Sequence, residues 1–431
     1  MIPDLAVSPE PTDVAPTEID VDWERSIGET SPLLAGANDY RLTRLKRPDD
    51  SLLHDRVRRI GLTLVRLRYP HMASLLTDSQ SRNWDEGSLV ETFADPAFAG
   101  TARVLAIPTW PVWLKQDRDR LLDPSEYRNY AHFCARLVSV LNIKHQLGIE
   151  YFEPLGDLEM RYRAAGQLEE LWKIFNIVAT AMHLKDPTVK VGGPGSTGFD
   201  SQVLGSFLHH CRFNVDFICW NDYAEPHVFD TTEHLMAATP DYFLRVKTAQ
   251  ALVRRAIPGR DVPLMLSEYN IENTSSPYGG RQSGHLGAIW TASVIKHLAE
   301  AGLEMAATSH LKHLGCGLIG NDHRLRPLAF VFVWLTRHLC GRVFATVSSN
   351  PLVEAMAVTP DEQRRSLLLI NKSAQDAYVS LQTREVLKGR MVEVYSLDAM
   401  GNDFVRLPSI AIYKRILVMP PYSLKLLLFE R

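Results

Sequence analysis

Two stretches of the chain place carboxylates directly after short apolar runs. One is Glu153-Pro154-Leu155-Gly156-Asp157-Leu158-Glu159, and the other is Ser267-Glu268-Tyr269-Asn270. Two carboxyl groups about 5–5.5 Å apart across a glycosidic bond can carry out retaining hydrolysis, one attacking the anomeric carbon and the other protonating the departing oxygen. An arginine and a tyrosine beside the attacking group would keep it ionised, by charge pairing and by hydrogen bonding. Further polar and aromatic residues follow similar runs: Asn38, Arg66, Arg68 and Tyr69, Trp110 and Trp113, Asn221-Asp222-Tyr223-Ala224-Glu225, and His310 and His313. Trp110, Trp113 and Trp220 have faces that could stack on sugar rings. Trp110 and Trp113 would serve equally well as core.

Each candidate has a plainer use. Glu268 could be a structural carboxylate paired with Arg66 or Arg68. Asp157 could cap a helix, and Glu153 or Glu159 could act as acid in its place. His310, Lys312 and His313 read as solvated loop residues or substrate contacts, because no His-x-His or His-Glu-x-x-His pattern supports a metal. Val191-Gly-Gly-Pro-Gly-Ser-Thr-Gly198 lacks the Gly-Lys-Ser/Thr ending of a phosphate loop and reads as a strand-end turn.

The elements that must position these residues are repeated βα units. Short apolar runs, suited to strands buried on both faces, occur at Leu33–Ala37, Leu62–Arg68, Arg103–Ile107, Ile149–Glu153, Val189–Gly192, Phe217–Trp220, Leu264–Leu266 and Met305–Thr308. Amphipathic helices lie between them. One opens at Asp123-Pro124-Ser125, carries Tyr130, Phe133, Leu137, Val140 and Leu141 on one face and stops at Gly148. Eight such units predict an α/β fold, a closed (β/α)8 TIM barrel over 31–344, whose functional end lies at the strand C-termini. A helix over Pro327–Cys340 is followed by alternating β-type runs, including Ser366–Ile370, Ala377–Leu381, Met391–Tyr395, Ala411–Val418 and Ser423–Phe429. They predict an accessory β-sandwich over 345–431, completed by a strand in 18–30 where Ile19, Val21 and Trp23 alternate with acidic residues. Residues 1–17 read as a loosely attached tail.

Composition narrows the function. A net charge of −3 leaves no electrostatic footprint for nucleic acid. No apolar run reaches the roughly 20 residues of a membrane span, and the acidic, proline-rich start lacks a secretory pattern. Five cysteines without a Cys-x-x-Cys pair suit free thiols in a cytoplasmic protein.

Several segments resemble glycoside hydrolases of clan A, most closely family 39, which includes β-xylosidases, α-L-iduronidases and exopolysaccharide hydrolases. The resemblance covers almost the whole chain. Pro263-Leu-Met-Leu-Ser-Glu268-Tyr269-Asn270, with a helix opening at Gly284-His285, is similar to the family's strand-seven nucleophile segment. Asp216-Phe-Ile-Cys-Trp220-Asn221-Asp222-Tyr223 resembles the strand-six segment whose tyrosine touches the nucleophile. Gly315-Cys-Gly-Leu-Ile319 with Arg326-Pro327, and Val418-Met-Pro-Pro-Tyr-Ser423, resemble segments beyond strand eight and in the closing strand of the sandwich. The resemblance implies a retaining O-glycosyl hydrolase acting on carbohydrate, with Glu268 as nucleophile and Asp157 as acid/base. It needs neither metal nor organic cofactor. Asn38, Arg66, Arg68, Trp110, Trp113, Trp220, Asn221 and Tyr223 would then shape the sugar site. Strand four departs from the family's Asn-Glu-Pro: Gly156 stands at the asparagine, which binds the sugar 2-hydroxyl, and the shorter Asp157 at the glutamate. Asn221 stands where the family has histidine. These departures keep open a second expectation, a glycan-binding protein on a glycosidase scaffold.

Overall fold

The computed structural model describes residues 15–40, 50–68, 76–78, 83–84, 86–87, 90, 94–111, 113–224, 230–272, 280–313, 315–383, 391–408, 412 and 416–430. Most of the expected N-terminal tail, together with Tyr69 and Glu225, lies outside the described residues.

After a long strand β1 (Thr17–Thr30), eight strands form the barrel: β2 (Gly36–Asp39), β3 (Leu64–Arg68), β4 (Ala102–Ala106), β5 (Tyr151–Glu153), β6 (Lys190–Ser196), β7 (Phe217–Tyr223), β8 (Leu264–Asn270) and β9 (Met305–Thr308). Neighbours pair in parallel and in chain order, and β9 closes on β2 through Ala307–Gly36 and Thr308–Ala37. Each side chain on a strand faces alternately into the barrel and out toward the helices. Leu64, Val104, Phe217, Cys219, Met265, Met305 and Ala307 fill the inside. A larger cluster fills the shell between strands and helices. A Cβ at Gly192 would run into the Phe217 ring, so a side chain there would force the inner layer apart.

Two differences from the sequence reading share one cause. β7 and β8 continue past the apolar runs at Phe217–Trp220 and Leu264–Leu266, to Tyr223 and Asn270. An apolar run ends where a strand reaches the polar mouth of the barrel, although the backbone pairing continues. In the first unit Ser31 accepts from the Leu33 N–H and starts a short 3-10 turn, Pro32–Leu34, so the strand begins at Gly36 rather than at Leu33.

The helix after β4 starts as its sequence suggests. The Asp123 carboxylate accepts from the Ser125 N–H, Pro124 occupies the first turn, and the helical run continues through Tyr127–Val138 into a π-turn over Ser139–Lys144. Pro327–Trp334 is helical and also ends in a π-turn, Leu335–Leu339.

The accessory β-structure is one mixed sheet. It holds β10 (Gly341–Ser348), β11 (Val353–Thr359), β12 (Arg364–Asn371), β13 (Ala377–Thr383), β14 (Met391–Asp398), β15 (Gly401–Pro408), β16 (Leu417–Met419) and β17 (Ser423–Glu430). Its order is β15-β14-β17-β12-β11-β10-β1-β13-β16, with β1 antiparallel to β10 and parallel to β13. Ile19 and Val21 of β1 share a core with Val379, Val392, Val394, Met419 and Phe429, so the two ends of the sheet close over one interior. The run expected at Ala411–Val418 falls partly outside the described residues, and its described end pairs with β13.

Candidate active site

Glu268 lies in β8, at the C-terminal mouth of the barrel. Met265 faces inward, so strict alternation would turn Glu268 outward. The pairing with β7 slips between Leu266 and Glu268, and this bulge returns Glu268 to the interior. Its carboxylate gathers donors from two other strands and from Tyr40, just beyond β2. The Tyr223 hydroxyl donates to Oε1 at 2.5 Å, and the Tyr40 hydroxyl donates to the same oxygen. Arg66 Nη1 approaches Oε2 at 3.5 Å.

Arg66 organises the floor of the site. It is 0% exposed and forks onto Glu153, also 0% exposed, with Nε to Oε2 at 3.0 Å and Nη2 to Oε1 at 2.9 Å. Its Nη1 also donates to Asn38 Oδ1 at 2.7 Å. Burial alone would lower the guanidinium's pKa, but Glu153, and after it Glu268, hold it well above its ordinary value. Burial, together with the negative charge of Glu268, likewise pushes the Tyr223 phenol well up, so it stays a donor.

Asp157 sits in the turn between β5 and the helix Glu159–Ala164. Its φ is +60°, a left-handed conformation that aspartate tolerates better than most residues. Its N–H donates to the Gly195 carbonyl at 2.9 Å, and its Oδ1 accepts from Asn221 Nδ2 at 2.7 Å. The same turn makes room for Glu153. A Cβ at Gly156 would lie 3.0 Å from Glu153 Oε1, and one at Gly195, itself at φ +65°, would run into that oxygen.

The other sequence candidates divide by position. Glu153 is consumed by Arg66. Glu159 is buried and accepts from the Thr197 N–H at 2.6 Å, which ties it to the backbone of the turn after β6. Asn38 was expected to touch sugar. It is buried instead, with Nδ2 donating to the carbonyls of Ser267 (2.9 Å) and Ala307 (3.0 Å) and Oδ1 taken by Arg66. Asn221 is likewise engaged, with Asp157. Two tryptophans are corrected. Trp110 is 1% exposed, packs edge-on against Tyr130 and donates to the Arg120 carbonyl, and Trp220 is 3% exposed against Phe199. Both belong to the shell between strands and helices, where no sugar face can reach them. Trp113 is only partly buried, against Phe133. Arg68 closes β3, and its side chain lies outside the described residues.

Tyr40 was missed, and His310, expected to be a solvated loop residue or a substrate contact, is buried. Tyr40 follows Asn38 by two residues, the period that keeps both on one strand face, and that spacing was the available signal. The His310 ring lies 4.1 Å from the Tyr40 ring. Cys316 Sγ sits 3.1 Å from His310 Nδ1 and 3.2 Å from His313 Nδ1. Even so, among the described residues no group of three or more His, Cys, Asp or Glu is arranged to hold a metal. No described helix is long and apolar enough to cross a membrane.

Comparisons with known proteins agree with this geometry. A β-xylosidase of Geobacillus stearothermophilus is 30% identical over 187 residues, which are 38% of this chain and 36% of the relative, so the match spans about a third of that protein's length. A monomeric β-xylosidase of Caulobacter crescentus superposes with a TM-score of 0.70 at 14% identity, covering 96% of this chain and 99% of that one. A family 51 α-L-arabinofuranosidase of Thermotoga petrophila gives 0.71 at 14% identity, covering 96% and 100%. At such identities these structures establish the shared fold. Residues 155–313 match the sequence profile of glycosyl hydrolases family 39. That segment, which is similar to glycosyl hydrolases family 39, runs from the turn bearing Asp157 through the strand bearing Glu268 to the histidines beyond β9.

Proposed function

We propose that this chain is a retaining O-glycosyl hydrolase working by double displacement. The observation that carries the reading is the Glu268 carboxylate at the barrel mouth, with two phenols and a buried guanidinium on it. Such donors stabilise the ionised form. In the first step a Glu268 oxygen bonds to the anomeric carbon, the bond to the leaving oxygen breaks, and Asp157 gives that oxygen its proton. In the second step Asp157 takes a proton from water. The water oxygen then bonds to the anomeric carbon, and the Glu268 carboxylate departs. Two inversions leave the anomeric configuration unchanged.

The names of the relatives point to pentosides, so nitrophenyl β-xyloside and nitrophenyl α-L-arabinofuranoside are the first substrates to assay. Glu268→Gln should abolish turnover of every substrate. An active Glu268→Gln protein would remove the mechanism. The five thiols, all unpaired, support a reducing compartment.

One observation favours a second reading. Asp157 is short, held in a left-handed turn and hydrogen-bonded sideways to Asn221, beside a glycine that offers no side chain to sugar. A glycan-binding protein would show calorimetric binding of xylo-oligosaccharide with no hydrolysis of either nitrophenyl glycoside.

A further inference from the structure

We propose that Tyr40 is a second positioning residue for Glu268, sharing Oε1 with Tyr223 so that the carboxylate stays ionised and fixed in orientation. Its catalytic consequence rests on the glycosidase reading above, but the contact itself does not.

An ionised carboxylate oxygen has two lone-pair directions. Two phenols on Oε1 fill both, and two donors from different elements fix the carboxyl plane where one would leave it free to rock. The donors approach from separate elements, Tyr223 from the end of β7 and Tyr40 from just beyond β2. Tyr40 is braced from behind. The His310 ring lies against its ring at 4.1 Å and stacks on His313 at 4.9 Å, while His310 Nδ1 meets Ser309 Oγ at 2.7 Å. The segment after β9 therefore helps to aim a phenol at the carboxylate of β8.

Arg66 faces Glu268 from β3, and the two phenols face it from β7 and from beyond β2. Cys316 approaches from beyond β9, where burial pushes its thiol up to about 12 and keeps it neutral at ordinary pH. Asp157 is bonded to Asn221, and the His310 ring lies against Tyr40. Both phenols bond directly to Oε1, so removal of one should be felt at Glu268 itself.

The test titrates the Glu268 carboxyl by carbon NMR of the full chain labelled at its glutamate carboxyls, with Glu268→Gln identifying the resonance. Tyr40→Phe and Tyr223→Phe should each raise its pKa by about one unit, the worth of one hydrogen bond to a charged group, and the double variant should raise it further. A titration that moves in Tyr223→Phe but not in Tyr40→Phe overturns the proposal. In case Tyr40→Phe does not fold, Glu268→Gln with ring-labelled tyrosine asks the same question from the other side. Two tyrosine resonances that shift support the proposal, and one alone overturns it. The two readings fail separately. A wild type that hydrolyses no glycoside but titrates as expected in Tyr40→Phe would overturn the glycosidase reading and leave this contact standing. An active wild type with an unresponsive titration would do the reverse.

Discussion

At Asp157 the chemistry depends on the reach of one short side chain. The Asn221 amide donates to its Oδ1, and a donated hydrogen bond favours the ionised carboxyl. A general acid must begin protonated, so Asn221→Ala should move the alkaline limb of the kcat/KM profile to higher pH. A profile unchanged in Asn221→Ala would show that this hydrogen bond does not set the acid. Asp157→Ala should lower turnover of alkyl glycosides by ~10²–10⁴-fold, the usual worth of general acid help. It should spare aryl glycosides with acidic phenols, whose leaving oxygen needs little protonation. An equal loss across a leaving-group series would show that Asp157 is not the acid.

At the scale of the element, the turns after β5 and β6 decide where Arg66 points. Gly195 combines a positive φ with a Cβ direction that runs into Glu153 Oε1. Glu153 cannot swing away cheaply, because both its oxygens are held by Arg66. Gly195→Ala should therefore cost at least about 2 kcal/mol of stability and lower kcat/KM through a displaced Arg66. A calorimetric melt indistinguishable from wild type would refute this.

The same elements show what the sequence could and could not reveal. The eight apolar runs located the barrel strands, because a strand buried on both faces has no other composition. The Ser267-Glu268-Tyr269 segment located the carboxylate at the mouth. The bulge before Glu268 was invisible, since it is a slip in pairing rather than a residue type. Trp110 and Trp220 were indistinguishable from sugar-stacking residues in sequence, because side-chain direction at a strand end depends on register. Asn38 was expected to help shape the sugar site, but its amide supplies hydrogen bonds that bind β2 to β8 and β9.

Across the whole molecule, the barrel and the accessory sheet share a buried ionic network. Glu354 of β11 accepts from Lys372 Nζ (2.6 Å) and Ser293 Oγ (2.5 Å) and meets His297 Nε2 (2.9 Å), and Ser293 and His297 both lie on the barrel helix His285–Ala301. Lys372 also donates to Thr239 at 2.9 Å. Burial opposes ionisation of Glu354, but His297, Lys372 and Lys296 outweigh it and pull the carboxyl down to about 2. A carboxyl depressed in the folded state stabilises the protein above its ordinary pKa of 4.5, and that contribution is lost as pH falls from there through about 2. The melting temperature should therefore decline over that window. Glu354→Gln should remove this part of the decline and destabilise the protein at neutral pH by ~3–5 kcal/mol, because Lys372 is left buried without its counter-charge. A variant as stable as wild type at neutral pH would show that the network does not join the two units.

The central claim, that Glu268 attacks the anomeric carbon, is open to one direct measurement. An activated fluoro-xyloside, with fluorine in place of the hydroxyl beside the anomeric carbon, slows both steps but leaves the first accessible. Incubation followed by peptide mass spectrometry should find one fluoro-xylosyl group, esterified to Glu268 in the peptide that carries β8. A label on any other residue, or wild-type turnover of the parent xyloside with inverted product and no label at all, would contradict the account.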